Sequence, residues 1–196
     1  MARRDEVLEA AIDLLDEVGL DAFTTRRLAG RLEVRASALY RHYPSKQALL
    51  DAMVAHMVGD TGLAALPEGP WDDILRAVAI GTREGMLAHR DGARLIATFN
   101  DPGEVAVESF TNLIARLTAQ GVPDDTAVAA VDTMFGYVNG FTMEEQAREI
   151  SGPAGAHLSR EQRDKGFRAG LELIIDGIRT RVRQPDSADR PTRRRR

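Results

Sequence analysis

A hydrophobic period close to 3.6 residues runs along almost the whole chain, with no useful length of the apolar/polar alternation that marks a strand. A chain patterned this way buries its apolar stripes by packing helix on helix, so the expected class is all-α. From Asp5 to Val18, the residues Val7, Leu8, Ala11, Ile12, Leu15 and Val18 share one stripe, and Gly19 stands where a left-handed C-terminal cap is wanted. Thr24 can cap a short helix from Thr25 to Leu32, with Leu28, Ala29 and Leu32 inward. A break at Glu33 and Val34 leads to a second short helix, about Ala36 to His42, which Pro44 stops. Ser45 then caps a longer helix whose apolar face is Leu49, Leu50, Met53, Val54 and Met57.

The stretch Gly59 to Pro70 reads as a joint. Beyond it, Trp71 to about His89 is amphipathic through Ile74, Leu75, Val78, Ala79 and Met86, and a shorter helix, Ala93 to Phe99, follows the Asp91-Gly92 turn. Asp101 and Pro102 suit the start of the next helix, which carries Val105, Phe110, Leu113, Ile114 and Leu117 and ends at Gly121. Pro123-Asp124-Asp125 opens a long helix to about Glu149, and Gly152, Pro153 and Gly155 interrupt it. Ser159 with Gln162 forms a capping box for a last helix, with Phe167, Leu171, Ile174, Ile175 and Ile178 along one face. Gln184 to Arg196 is polar, ends in arginines and is expected to be disordered.

Bulk numbers narrow the function. The 196 residues are 43% hydrophobic, enough for a sizeable core, and contain no cysteine, which suits a reducing compartment. The opening Met1-Ala2-Arg3-Arg4-Asp5 has no signal-peptide core, and no apolar run approaches the roughly 20 residues of a membrane span, so a cytoplasmic protein without membrane attachment is expected. Net charge is −4, unevenly divided: residues 22 to 47 carry +5, residues 48 to 178 carry −10, and the last eighteen carry +6. An acidic body with a basic head concentrates attraction for phosphate at one end. Glycine-rich phosphate loops, the HExxH zinc pattern, clustered metal ligands and a suggestive serine, histidine and acid order are all missing, so no enzyme, catalytic residue, metal or cofactor is expected.

The basic island coincides with two short helices joined by a tight turn, the geometry that puts a helix end into the major groove. Arg26 and Arg27 open the first, Arg35 and Ser37 the second, and Tyr40, Arg41 and His42 lie further along; all can reach phosphates or base edges. Lys46 falls in the first turn of the following helix, where free amides already favour an anion.

The segments Leu20-Asp21-Ala22-Phe23-Thr24-Thr25-Arg26-Arg27-Leu28-Ala29 and Ala38-Leu39-Tyr40-Arg41-His42-Tyr43-Pro44-Ser45-Lys46 resemble the TetR family of repressors in order and spacing. The resemblance implies a dimeric, ligand-responsive regulator of a palindromic double-stranded DNA operator. In it Thr25, Tyr40, His42 and Lys46 hold phosphates, Arg26 and the opening Arg35, Ala36, Ser37 and Ala38 meet bases, and Arg41 does either. Ala36 and Ala38 are short, so they offer only apolar contact, as with thymine methyls. Glu33 stands where the family turn has glycine; a left-handed conformation there costs on the order of 1 kcal/mol. Its acid either weakens phosphate binding or is held by a neighbouring arginine. The implied division is a DNA-binding helix-turn-helix domain at 1–46, a ligand-binding and dimerisation domain at 47–182, and a basic tail at 183–196. An activator of the same fold, or a ligand carrier that has lost DNA binding, are the alternatives.

Trp71, His89-Arg90-Asp91-Gly92-Ala93-Arg94, Glu144-Glu145-Gln146 and Phe167-Arg168-Ala169-Gly170-Leu171-Glu172-Leu173-Ile174-Ile175 extend the resemblance to the ligand domain of the family's tetracycline-responsive branch. The drug-binding groups do not follow. Ile96 and Gly136 stand at pocket histidine positions, and Gly62, Val78 and Thr82 at those of three other drug contacts; Glu144 alone keeps its acid. A largely apolar effector with a few polar groups is expected instead of a magnesium–tetracycline chelate. Candidate walls are Met86, Ile96, Phe99, Phe110, Leu113, Met134, Phe135 and Val138, and candidate polar anchors Thr82, His89, Thr98, Asn100, Tyr137, Asn139 and Glu144. His89 also reads as a hydrogen-bonded structural histidine at a helix end. The helix from Pro123 and the helix from Ser159 to Val182 are the implied homodimer faces, with Gly136 and Gly140 allowing close approach.

Overall fold

The computed structural model describes residues 3–60, 65–101, 103–151 and 158–183. Among them run nine helices and no strand: α1 (Arg4–Val18), α2 (Thr25–Arg31), α3 (Ala36–Leu39), α4 (Lys46–Asp60), α5 (Trp71–Leu87), α6 (Gly92–Ile96), α7 (Gly103–Thr118), α8 (Asp124–Ser151) and α9 (Arg160–Arg183). The break at Gly152 to Gly155, Pro102, part of the 59–70 joint and the tail from Gln184 lie outside the described residues, while Arg183 closes α9.

Helices α1 to α3 make the head. Val7, Ala11, Ile12, Leu14 and Leu15 of α1 are buried, as are Leu28 and Ala29 of α2, Leu39 of α3, and Phe23 and Tyr43 in the connecting turns. The body is built on α8, 28 residues and so about 42 Å long, against which α5, α6, α7 and α9 pack. α4 belongs to both parts, because it packs on α1 and also on α5, α6 and α7. One apolar cluster therefore runs without interruption from Val7 through Met57 to Ile178.

Local chemistry sets the ends. Thr24 Oγ1 accepts the Arg27 amide at 3.2 Å, Ser45 Oγ accepts that of Ala48 at 3.0 Å, and Ser159 and Gln162 bond reciprocally at 3.1 and 2.8 Å, so these caps stand where the sequence puts them. Two short helices are shorter than their apolar pattern. α3 stops at Leu39, whose carbonyl takes the amides of both His42 and Tyr43, because Pro44 disfavours helical backbone just before it. α6 starts at Gly92 and ends at Ile96, since the Thr98 hydroxyl and amide both turn back onto Leu95 O, at 2.7 and 2.9 Å.

Head and body are clasped where the end of α1 meets the α5–α6 turn. Asp16 receives His89 Nδ1 and the Arg90 amide, each at 2.9 Å, and Arg90 donates to Glu17 O at 2.9 Å. Asp91 Oδ2 accepts the Leu20 amide at 2.9 Å, and Arg94 pairs with Asp21 at 2.8 Å. Two glycines make the approach possible. A Cβ at Gly19, where φ is +76°, would stand 2.9 Å from Asp91 Oδ2; one at Gly92 would stand 2.3 Å from Met86 O.

Candidate nucleic-acid interface and ligand cavity

The head presents its polar groups on one edge because its apolar ones are anchored behind it. Leu39 holds α3 to the core at 3% exposure. Tyr43, also buried, donates its hydroxyl to Arg4 O at 3.3 Å. The turn between α2 and α3 passes through Glu33 in the left-handed region, φ +53°, as its replacement of a glycine predicts; its exposed carboxylate makes no ion pair among the described residues. Arg26, Arg27, Arg35, Ser37, Tyr40, Arg41 and Lys46 are exposed, and Thr25, Ala36, Ala38 and His42 half-buried. Tyr40, Arg41 and His42 lie in the turn after α3 and not on the helix to which the apolar pattern assigns them.

Which cations are free to meet an anion is decided by their partners. Arg31 is folded back onto Asp13 and Glu17, at 3.5 and 2.6 Å. Arg26, Arg27, Arg35 and Arg41 make no ion pair among the described residues, leaving four guanidinium groups open on a surface otherwise short of acids. Lys46 donates one of its three ammonium protons to Phe23 O at 3.0 Å and lies 5.7 Å from the Phe23 ring centre. Such an edge supplies both charge for phosphates and forked donors for base edges.

In the body, a cavity of about 110 Å³ opens between α4, α5, α7, α8 and the α6 segment. Its lining is Val54, Val58, Thr82, Met86, Ile96, Phe99, Ala106, Phe110, Phe135 and Asn139, with Phe110 and Phe135 in tilted contact at 4.5 Å. None of the ten side chains is ionisable. Seven of them are sequence candidates; Val54, Val58 and Ala106 were missed, although Val54 carries the signal of lying on the apolar face of α4. The other candidates fall outside this lining. Leu113, Met134 and Val138 are filled core. His89 is engaged with Asp16, Asn100 gives its amide to Asp51, and Thr98 bonds Leu95 O. Tyr137 donates to Phe167 O at 2.9 Å while burial pushes its phenol up, and Glu144 is exposed and paired with Arg148. Among the described residues no cluster of three or more histidine or acidic side chains is arranged to hold a metal ion.

Two further buried polar groups are fully engaged. Arg83 forks onto Glu145 at 2.9 to 3.0 Å and reaches Asp164 at 2.7 Å, with its guanidinium 4.9 Å from the Phe167 ring centre; Glu145 also takes Arg163 at 2.9 Å. Gln146 ties α8 to the α5–α6 turn: its oxygen accepts the Ala93 amide at 3.0 Å and its nitrogen serves Met86 O and His89 O at 3.2 and 2.9 Å.

The sequence matches the family model for bacterial regulatory proteins of the tetR family over residues 7–53, and that for the tetracyclin repressor-like C-terminal domain over residues 63–160. It is 37% identical over 196 aligned positions to the class A tetracycline repressor protein from transposon 1721 of Escherichia coli, covering 89% of each chain. The chain belongs to the TetR family. Among solved structures, this TetR-family chain is similar to a tetracycline repressor variant from Acinetobacter baumannii AYE in complex with minocycline (35% identity, TM-score 0.83, 92% of this chain and 98% of that one). It is likewise similar to BioQ in complex with its double-stranded DNA operator (31% identity, TM-score 0.73, 92% and 99%).

One more surface of this TetR-family protein stands out. A groove of about 220 Å³ between α8 and α9 is lined by residues including Ala129, Thr133, Leu173 and Gly177. Leu173 is 76% exposed, Val128 is exposed, and a Cβ built at Gly136, Gly140 or Gly177 meets nothing within 4 Å. The apolar residues Phe167, Leu171, Ile175 and Ile178, in contrast, are buried in the chain's own core, so the outward face of α9 is formed by other residues, Leu173 among them.

Proposed function

We propose that this protein is a dimeric transcriptional repressor that holds a palindromic operator through the edge from Thr25 to Lys46 and is released when a mostly apolar small molecule fills the body cavity. The observation that carries the reading is the pairing of four arginines on the head that make no ion pair among the described residues with an apolar cavity in the body. The cavity wall includes Val54 and Val58 of α4 and Ile96 of α6. α6 in turn begins beside Asp91 and carries Arg94, two members of the clasp on the end of α1. A ligand that shifts α6 therefore acts on the head twice, through the clasp and through α4, and changes the separation of the two heads in a population shift between packings.

A magnesium–tetracycline chelate is a poor occupant: the cavity lining offers neither imidazole nor carboxylate, and the resemblance implies that Ile96 and Thr82 stand where the tetracycline-responsive branch has drug contacts. The exposed small-residue face of α8 and α9 supports a two-fold dimer, which would set the recognition edges one DNA turn apart, about 34 to 36 Å. The boundary we favour between head and body is at residue 46, with α4 as the shared element.

Operator duplexes selected from random sequence test the DNA reading. Affinity should fall steeply with salt, the log-log slope being about 0.9 per neutralised phosphate; a ligand carrier without DNA function shows no such slope. Arg26→Ala should relax base preference, and Lys46→Ala should weaken all sequences alike and lower the slope by about 1. If neither alters operator affinity, the interface is misassigned. Leu173→Arg checks the dimer: in sedimentation velocity it should move the protein to monomer, and an unchanged dimer removes α9 from the interface.

A further inference from the structure

We propose that the ligand of the body cavity is an uncharged aromatic molecule bearing a hydroxyl-type hydrogen-bond donor, and that Thr82 and Asn139 are the residues that read it. The proposal rests on the regulator reading only in taking this cavity as the effector site. The observation is a pair of orphaned oxygens. Thr82 Oγ1 and Asn139 Oδ1 are both buried and without a hydrogen-bond partner among the described residues, and both residues line the same cavity.

Neither orphan is an ordinary feature of its helix. A helical threonine usually returns its hydroxyl to the carbonyl one turn back. Thr111, Thr142 and Thr180 do so at 2.8, 2.7 and 2.9 Å. Thr82 is 5% exposed and does not. A buried polar atom without a partner carries its full desolvation penalty, so in the ligand-free protein both oxygens are held at a cost. A ligand O–H that donates to Asn139 Oδ1 and accepts from the Thr82 hydroxyl removes both penalties with one group.

The remaining lining decides the rest of the molecule. No cavity side chain is ionisable, so a charged ligand would be stripped of water with nothing opposite it. Phe110 and Phe135 offer ring faces and edges at 4.5 Å separation, which favour a flat aromatic body. The volume of about 110 Å³ is below the roughly 150 Å³ of an engineered apolar cavity that binds benzene, so it limits the buried part of the ligand to about one ring. A larger ring system would displace Phe99, which is 41% exposed and so lies where the cavity meets solvent.

Titration calorimetry on the full-length protein with 4-ethylphenol, 4-ethylanisole and 4-ethylbenzoate tests this. The phenol should bind about tenfold more tightly than its methyl ether, a difference of about 1.4 kcal/mol, and the benzoate should give no heat at the same concentrations. Thr82→Val and Asn139→Leu should each bring the phenol-to-ether ratio close to one, and Thr82→Ser should keep it. Thermal melts verify that each variant is folded; should Asn139→Leu fail to fold, the Thr82 pair decides alone. Equal binding of phenol and ether, binding of the benzoate, a ratio unmoved by Thr82→Val, or no binding of any of the three overturns the proposal. The DNA reading is judged separately by salt-dependent operator binding. A protein that prefers the phenol but ignores DNA keeps this proposal and loses that one.

Discussion

Thr82 and Arg83 are neighbours on α5, both almost excluded from water, and their polar atoms meet opposite fates. Arg83 is a full charge, yet Glu145, Asp164 and the Phe167 ring surround it, and Arg163 completes the far side of Glu145. Thr82 carries only a hydroxyl, and that hydroxyl has no partner among the described residues. The harder group to bury has been given everything it needs, and the easier one nothing. This difference separates polar residues that hold an architecture from polar residues that wait for a ligand. The Arg83 group joins α5, α8 and α9, and so fixes the frame on which α6 and α7 close the cavity.

The largest effect expected from this contrast is at Glu145. Glu145→Ala leaves Asp164 as the remaining acid beside Arg83 among the described residues and removes one partner of Arg163, an incompletely compensated buried charge that should cost about 3 kcal/mol of stability in urea unfolding at fixed protein concentration. A loss below about 1 kcal/mol would mean that water reaches the network. Thr82→Val should move stability the other way. It removes an unsatisfied hydroxyl and keeps the shape of the side chain, so the ligand-free protein should gain about 1 kcal/mol. A loss of similar size would show that the hydroxyl has a partner in solution, and the contrast with Arg83 would vanish.

Much of this arrangement is legible in the sequence, and the limits have physical causes. The long helix α9 follows from sustained periodicity, α8 from its Pro123-Asp124-Asp125 opening and the long run without a breaker after it, and caps at Thr24, Ser45 and Ser159 follow from side chains that must satisfy free amides. The exposed edge is visible as charge, and its backbone turn at Glu33 as a departure from the glycine expected there. The cavity is legible only in part, because periodicity tells which face of a helix is apolar and not whether that face is filled or hollow. Leu113, Met134 and Val138 are as apolar as Met86, Ile96 and Phe135, yet they pack solidly. The Arg83 network left one overlooked signal: Arg83 stands four residues after Ala79 and three before Met86, in the middle of the apolar stripe of α5. A charge at such a position must find a partner or distort the helix packing.

A second ionic group joins the same two helices at the surface, and it sets the lower end of the scale. Arg76 of α5 forks onto Glu172 of α9 at 2.6 and 2.9 Å, and Asp72 pairs with Arg179. Hydrogen bonds from Arg76 hold the Glu172 carboxyl below its ordinary value of 4.5 despite some opposing burial. A depressed carboxylate stabilises the fold fully above its unfolded titration, and the contribution fades as pH falls through the folded value. Glu172→Gln should therefore cost at most about 0.5 kcal/mol at pH 7, because the pair is solvent-screened, and the gap to the parent protein should close as pH falls below the ordinary value of 4.5 and through the lowered folded one. At pH 7 Glu145→Ala should cost several times more than Glu172→Gln, since it uncovers a buried guanidinium and not a solvent-screened one. If the two variants instead cost the same at pH 7, burial is not what distinguishes the inner network from the outer one.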